Sequence, residues 1–572
     1  MRKSIQTSAK LLLLKWSLLY SLSSFGQMYN VVFSELMVKP APTVGLPNVE
    51  YIELYNRTDS LIRLKNWTLR IGNSNRTLPD SAILPKSYLL ICANANRQEL
   101  SVYGSVMGLS SLQLADGGQN LVLLNEKQQQ IDYVGYKDSW YQDKNKAQGG
   151  WSLEKINMDY PCSEEENWTA SKASAGGTPG AENSVSDKNA VPFSEIFIRN
   201  IIYVRDKIVV HFSSPLPPED LERISNYKIA PFTEILSAKA VYPELKSVEL
   251  ELRDTLRNRK IYTLELQNAL FNCVGNSIPE RTFSRFGLPE PVDSGDIIIN
   301  EILFHPFTRD DSEYLELYNR SDKVLDLGTL QISYQSSGAP SAAKSISDGF
   351  LLFSKEYAVL TKNTENIKTN YFCKYPLQLV SCSNLPTFSN TGGTIFLYNQ
   401  SLQLIDKIEY SAKMHHPLLT SENGVALERI YPDQPTSDAK NWTSAAATVG
   451  FGTPTYQNSQ YRDFERRDRC LAYPEVFSPD GDGFDDFCTV SLFLEDAECI
   501  GSVVIYNTFG QKVRTLCNHE ILGTEAYFVW DGLNDAQQRL ETGTYVVLLD
   551  YKSPEGKRKQ LKTAVVLAVK LK

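Results

Sequence analysis

The segment Glu50-Tyr-Ile-Glu-Leu-Tyr-Asn-Arg-Thr-Asp59 decides the fold class. Its apolar and polar residues alternate with the period of a β-strand, and the closing Asn-Arg-Thr-Asp is typical of a turn. The same pattern returns as Glu313-Tyr-Leu-Glu-Leu-Tyr-Asn-Arg-Ser-Asp322. A recurrence so far along a chain of 572 residues indicates two copies of a whole domain and not a short-period solenoid.

Matching sequences flank both copies. Glu35 and Glu301 end similar apolar runs upstream, and both copies close on Gly-Thr-Pro, at 177–179 and 452–454. Inside each copy the apolar runs are short, rich in β-branched and aromatic residues, and separated by Asn, Asp and Gly. We therefore expect an all-β sandwich or barrel for residues 27–184 and again for residues 295–456.

The order of these sequences resembles the lamin tail domain. A Glu followed by Pro comes first, then Tyr-Ile-Glu-Leu-Tyr-Asn, a Gly-Gly before a strand, Ile-Asp-x-Val-x-Tyr and a late Asn-Trp. The resemblance implies an immunoglobulin-like β-sandwich, and the bacterial members of the family belong to secreted, multidomain surface proteins. The implied fold class is all-β, built of tandem Ig-like β-sandwiches.

Two further segments resemble other surface modules. Residues 190–288 contain strands of period two, such as Ile208-Val-Val-His-Phe212, and are similar to bacterial Ig-like domains of surface-layer and adhesin proteins. Residues 465–572 contain Phe477-Ser-Pro-Asp-Gly-Asp-Gly483 and Trp530-Asp-Gly532. They resemble the Ig-like module of hook-capping proteins and the C-terminal domains of gliding-associated surface proteins. This resemblance implies a type IX secretion sorting signal.

The N-terminus predicts export. Arg2, Lys3 and Lys10 precede a short apolar run, and Ser24-Phe-Gly26 offers a cleavage site. We expect residues 1–26 to be a cleaved secretory signal and the mature chain to lack a transmembrane segment. The expected location is the outer-membrane-associated surface of a Gram-negative bacterium or its extracellular medium, with the periplasm as the alternative.

Composition and motifs argue against two classes of function. The net charge is −9 without a long basic block, so we expect no nucleic-acid partner. The chain has only five histidines and lacks the nucleophile-elbow, zinc-protease, Walker and dinucleotide motifs. We therefore expect no enzyme activity and no cofactor, with a calcium ion as the one exception.

The exception rests on an acidic, Gly-rich loop that carries Asp480, Asp482, Asp485 and Asp486. Ca²⁺ takes about six to eight oxygen ligands, so this spacing predicts a calcium site. The alternative is an Asp/Gly turn whose side chains bond their own backbone. The glutamate that ends an EF-hand loop does not follow here.

Two glutamates recur in each copy, Glu35 with Glu53 and Glu301 with Glu316. Paired carboxylates can perform acid–base chemistry when their environments separate their pKa values. The alternating sequence instead favours the outward face of a half-exposed sheet. Recurrence in both copies favours a structural role, in a backbone hydrogen bond or in an ion pair with the arginine that follows each second strand.

Four aromatic residues of the first copy gather near a predicted loop: Tyr136, Trp140, Tyr141 and Trp151. If exposed, they would offer a ligand surface for sugar rings or a partner protein. The alternative is that they fill the sandwich core.

The cysteines differ between the copies. Cys92 aligns with Thr361 and Cys162 aligns with Thr436, so both cysteines are present in one copy and both absent from the other. This joint pattern predicts a Cys92–Cys162 disulfide, which export permits. The alternative is free buried thiols. The total of nine is odd, so at least one thiol is unpaired or intermolecular.

These observations favour a non-enzymatic secreted or cell-surface protein that acts as an adhesin, a scaffold or an envelope-associated interaction module. Its partner would be a protein or glycan at the cell surface. The alternative is a carbohydrate-binding or accessory subunit of a polysaccharide-capture or secreted hydrolase system.

Overall fold

The computed structural model describes residues 27–162, 165–191, 195–204, 206–347, 349–417, 419–462 and 467–569. The predicted secretory signal at 1–26 lies outside the described residues. The chain divides into two compact units. One contains the residues up to Leu256 together with Tyr262–Phe286, and the other contains Arg257–Ile261 and the residues from Gly287 onwards.

The first repeat is a sandwich of two antiparallel-rich sheets. In spatial order, one sheet contains Trp168–Ala170, Leu153–Lys155, Val31–Met37, Tyr51–Asn56, Tyr88–Ala93 and Val106–Leu109. The other sheet contains Gln130–Lys137, Gly118–Leu124, Thr68–Ile71 and Ser74–Thr77, and Ile62–Arg63 pairs with Ala82–Ile83. Side chains of both sheets form one core, with Phe33, Leu54, Leu69 and Leu123 fully buried. The all-β expectation is confirmed for this copy.

The second repeat has the same strand order. Its larger sheet contains Leu379–Ser381, Tyr357–Thr361, Tyr314–Asn319, Ile297–Leu303, Leu427–Arg429 and Trp442–Ser444. Its smaller sheet contains Lys344–Ser345, Leu330–Gln335, Gly392–Asn399 and Leu404–Ser411, and Leu325–Asp326 pairs with Leu351–Leu352. The shared strand order explains why the sequence motifs recur at matched positions.

The turn after the decisive strand shows how one residue type sets the local fold. The Asn56 side-chain amide donates to the carbonyls of Ser60 and Ile83, and its oxygen accepts from the Thr58 N–H. Asn319 makes the equivalent bonds in the second copy. An asparagine can satisfy several turn groups at once, so it fixes the chain reversal in both domains.

The remaining segments are also β-structures. Residues 195–286 contain one sheet of Ile198–Val204, Lys207–Phe212, Ser247–Leu252 and Ile235–Ala240, another of Tyr227–Ala230, Tyr262–Leu266 and Phe283–Phe286, and the pair Leu270–Phe271 with Ser277–Ile278. The last domain contains Arg469–Tyr473, Cys488–Phe493 and Glu525–Trp530 in one sheet. Its other sheet contains Val476–Phe477, Arg558–Leu567, Gly543–Lys552, Ile500–Asn507 and Lys512–Ile521.

Helices are short. Among the described residues, the α-helices are Arg97–Leu100, Pro218–Leu221 and Thr364–Asn370. The 3₁₀ turns are Asn94–Asn96, Asp138–Tyr141, Lys146–Gln148, Glu165–Asn167, Ile224–Asn226, Leu327–Thr329, Pro376–Gln378, Ala412–Met414, Ala439–Asn441 and Ala447–Val449. Within the described ranges, no helix is long and apolar enough to cross a bilayer.

The disulfide links two different domains of the first unit. Cys162 is bonded to Cys273, with Cα atoms 6.0 Å apart. Cys92 is a free thiol, buried in a strand beside Met37 and Leu90. The predicted Cys92–Cys162 disulfide is therefore wrong, because Cys162 lies in a turn that faces the next domain. The free, buried thiol is the correct alternative for Cys92.

Candidate functional site

Three glutamates of the first repeat lie side by side on adjacent strands. Glu35 is the cross-strand neighbour of both Glu53 and Glu154, and all three side chains are fully buried. The loop that starts at Gly177 covers them. Its backbone amides donate to the carboxylates, from Thr178 to Glu35 Oε1 (2.8 Å), from Gly180 to Glu53 Oε2 (2.6 Å) and from Val185 to Glu154 Oε2 (3.2 Å).

The second repeat builds the same cluster from Glu301, Glu316 and Glu428. The loop after Gly452 donates amides from Thr453 to Glu301 Oε1 (2.9 Å), from Thr455 to Glu316 Oε2 (2.6 Å) and from Gln460 to Glu428 Oε2 (2.9 Å). We call these two clusters the carboxylate triads. The recurring Gly-Thr-Pro sequence is therefore the segment that caps the recurring glutamates.

Side-chain hydroxyls add further hydrogen bonds, and Glu35 Oε2 is left buried without a partner among the described residues. The Tyr51 hydroxyl donates to Glu35 (2.8 Å) and the Tyr314 hydroxyl donates to Glu301 (2.7 Å). Glu35 also accepts from the Ser152 hydroxyl at 2.6 Å. Because buried carboxylates are costly without partners, these donors are what allow the triads to be enclosed.

Burial and mutual repulsion raise the pKa of Glu35 and Glu53 in the first triad and of Glu301 and Glu316 in the second. Burial, together with the charge of Glu154, raises the pKa of Glu35 to about 7. Burial and the charge of Glu428 raise the pKa of Glu301 to about 8. Close carboxylates cannot all ionise easily in a low-dielectric site, so the folded triads retain protons that free glutamates release.

The expected structural role of these glutamates is thus confirmed, but their expected exposure is wrong. They lie on the outward face of the larger sheet, and loops cover that face. Of the two structural roles expected, the backbone hydrogen bond is the one observed, and the ion pair with the following arginine is not. Arg57 instead donates to the Tyr29 carbonyl and lies 3.7 Å from Asp159.

Each repeat also contains a pair of oppositely charged side chains that the sequence analysis did not predict. Asp132 accepts a hydrogen bond from the Phe33 N–H at 2.7 Å. Burial raises the pKa of Asp132 to about 6, and the positive charge of Lys155 limits this rise. In the second repeat, Asp406 accepts from the Ile299 N–H and lies 3.7 Å from Arg429. The sequence does carry a signal for this pair. An aspartate follows Ile131 and Ile405, and a basic residue follows both Glu154 and Glu428.

The acidic loop brings together three of its four predicted residues. One carboxylate oxygen each of Asp480, Asp482 and Asp486 lies within 4.8 Å of the others, while Asp485 is not part of this group. Asp486 accepts from the Gly481 and Gly483 N–H groups. Asp480 accepts from the Asp482 N–H. The loop therefore has the self-bonded turn geometry, and these three carboxylates could hold a hard cation.

The prediction of an aromatic ligand surface is wrong for three of its four residues. Tyr136, Trp140 and Tyr141 are 2–4% exposed and belong to the core of the first sandwich. The 3₁₀ turn Asp138–Tyr141 directs the last two inward. Trp151 is half-buried under the Lys146 ammonium, which lies 4.3 Å from its ring centroid. The core alternative is confirmed.

Two sandwiches of one strand order, each capped by a loop bound to a carboxylate triad, define a protein with tandem Ig-like domains. The Lamin Tail Domain family model matches residues 27–138 and 291–412, and the CHU_C Type IX secretion signal domain matches residues 471–567. The chain therefore contains two lamin tail domain regions and a C-terminal type IX secretion signal domain. It is a cell-surface or secreted multidomain protein.

Solved structures overlap the chain at low identity. Native alpha-2-macroglobulin of Escherichia coli, domains MG0-NIE-MG1, is 11% identical over 64% of this chain and 96% of its own, with a TM-score of 0.14. Dimeric latent PorU of Porphyromonas gingivalis is 8% identical over 78% of this chain and 40% of its own, with a TM-score of 0.15. PorZ of the same organism is 9% identical over 91% of this chain and 74% of its own, with a TM-score of 0.14. No curated protein matches the chain.

The raised pKa values predict how stability depends on pH. The pKa of such a carboxyl is about 4.5 in the unfolded chain and higher in the folded chain. The group therefore stabilises the fold fully below pH 4.5, and this stabilisation is lost as the pH rises through the folded pKa. Across pH 4.5 to about 7, Glu35 should contribute a loss of about 3 kcal/mol in the free energy of unfolding. Replacing Glu35 with the uncharged isostere glutamine, Glu35→Gln, removes that contribution.

Differential scanning calorimetry of both chains across this pH range measures the effect. We expect the melting temperature of the first domain to fall more steeply with rising pH in the wild type than in Glu35→Gln. The exposed Glu99→Gln is the matched control and should follow the wild type. Parallel pH profiles for wild type and Glu35→Gln would contradict the assignment.

Proposed function

We propose that this protein is a non-enzymatic interaction protein of the outer cell surface, an adhesin or scaffold that binds a protein or glycan. The observation that carries the proposal is the C-terminal type IX secretion signal domain at 471–567, joined to sandwiches that hold their loops by buried hydrogen bonds. Loops on a rigid β-scaffold are common binding elements, so such a chain is suited to display.

The buried acids support a structural use over catalysis. Each triad carboxylate accepts an amide from the covering loop and lies enclosed beneath it. A general acid or base must come within hydrogen-bond reach of its substrate, whereas these groups face the protein's own backbone. The alternative of a carbohydrate-binding accessory subunit loses the aromatic surface on which it rested, since Trp140 is in the core.

Outer-membrane association can be tested in the source cell. Intact cells that express the full chain, or the chain without residues 471–567, are labelled with a membrane-impermeant biotin reagent and then fractionated. We expect labelling of the full chain in the outer-membrane fraction or medium, and retention of the truncated chain in the periplasm. Glu99→Gln in the full chain is the control and should be labelled as the wild type is. Equal surface labelling of the full and truncated chains would contradict the proposal.

We also propose that the acidic loop binds Ca²⁺ through Asp480, Asp482 and Asp486. The grouped carboxylate oxygens support this, since Ca²⁺ prefers oxygen ligands on a flexible loop. Calorimetric titration of the metal-free chain with calcium chloride should give a binding isotherm that disappears in Asp482→Asn. Asp485 lies outside the group, so the Asp485→Asn variant should retain the binding isotherm. Equal heats in both variants would refute the site.

A further inference from the structure

The first lamin tail domain contains an open cleft of about 440 Å³ over a pair of tyrosines. Tyr55 and Tyr88 are opposite each other on neighbouring strands, with ring centroids 4.8 Å apart, and both are half-buried. Charged groups from four loops also line it, namely Arg57, Lys86, Asp159, Glu182 and Lys188. We call this the tyrosine-pair cleft. It combines an aromatic wall with a charged and polar rim.

The second domain repeats the wall of this cleft. Tyr318 and Tyr357 lie 4.8 Å apart between centroids and are stacked at 28°. The Lys355 ammonium donates to the Arg320 carbonyl, as the Lys86 ammonium does to the Arg57 carbonyl. The same backbone and the same tyrosine pair therefore occur twice in one chain, which allows the two clefts to be compared residue by residue.

Backbone hydrogen bonds establish which residues correspond. The Ser186 N–H donates to the Asn183 carbonyl, and the Tyr461 N–H donates to the Asn458 carbonyl. The next residue of each copy also makes matching bonds, from Asp187 to Ile156 and from Arg462 to Ile430. Ser186 and Tyr461 thus occupy the same position of the fold.

In the second domain a tyrosine therefore stands where the first domain has a serine. Ser186 lines the first cleft together with Tyr55 and Tyr88, so the equivalent Tyr461 stands beside Tyr318 and Tyr357 in the second domain. In the first domain, Ser186 is exposed and its hydroxyl donates to Glu182 at 2.9 Å. The smaller side chain leaves the wall of the first cleft open.

A second substitution has the same effect. The Asn157 N–H donates to Asn167 Oδ1, and the Tyr431 N–H donates to Asn441 Oδ1, so Asn157 and Tyr431 also correspond. Asn157 lines the tyrosine-pair cleft. Two tyrosines of the second domain are thus replaced by two small polar residues in the first, at positions beside the same aromatic wall.

We infer that the tyrosine-pair cleft binds a tyrosyl side chain presented by a partner polypeptide. The inference deepens the proposed interaction function and rests on it. The chain itself shows the matching chemistry, because its second domain has Tyr461 at the position of Ser186, beside the equivalent tyrosine pair. Aromatic rings pack favourably on one another, and the phenol hydroxyl prefers a polar rim such as Lys86, Glu182 and Lys188 supply.

The probe for this site is N-acetyl-3-fluorotyrosinamide, whose ¹⁹F resonance is followed during titration with the purified full chain. We expect the wild-type chain to broaden and shift the resonance. Ser186→Tyr places the second domain's residue in the first cleft and should abolish the effect, while Ser186→Ala should preserve it. The double variant Ser186→Tyr with Tyr461→Ser opens the second cleft and should restore binding. Thermal melts confirm that each variant is folded.

Equal broadening by the wild type and folded Ser186→Tyr would overturn the inference. A methyl glycoside that binds with the same dependence on Ser186, in place of the tyrosine probe, would overturn it in favour of a glycan site. Failure of the inference is distinguishable from failure of the proposed function. Surface labelling of cells reports where the chain is displayed and does not depend on the cleft, whereas the ¹⁹F titration reports only the cleft.

Discussion

The capping of three buried carboxylates by a distant loop is the interaction on which each lamin tail domain depends. The glutamates are contributed by strands from both ends of the domain, Glu35 and Glu53 near its start and Glu154 near its end. Each such hydrogen bond contributes roughly 0.5–1.5 kcal/mol, and a buried carboxyl group left without partners costs roughly 1–3 kcal/mol. The loop after Gly177 must therefore close over the sheet for the domain to be stable.

This constraint has consequences for the rest of the domain. The capping loop covers one face of the larger sheet, so the sandwich has a second, smaller apolar layer formed by Met37, Tyr51 and Leu100 outside its main core. The same loop continues to Ser186, which lines the tyrosine-pair cleft. The buried triad thus fixes the position of a surface that is free to vary, and Tyr461 shows the variation in the second copy.

Much of the fold could be predicted from the repeated strand sequences. The alternation of apolar and polar residues around Glu53 indicates a strand and the face of the sheet on which Glu53 lies. It cannot show that a loop more than a hundred residues later covers that face. For the same reason the sequence does not reveal the partner of Cys162, since Cys273 lies outside the repeat and only the packing of two domains brings them together. Trp140 was open to two interpretations until its 3₁₀ turn placed it in the core.

The central claim is that the triads hold the capping loops in place, and native-state hydrogen exchange of the full chain tests it most directly. The amides of Thr178, Gly180, Thr453 and Thr455 lie outside any strand, yet each donates to a buried carboxylate. We expect these four amides to exchange as slowly as those of the central strand Tyr51–Asn56. Exchange as fast as that of the exposed acidic loop at 480–486 would contradict the account.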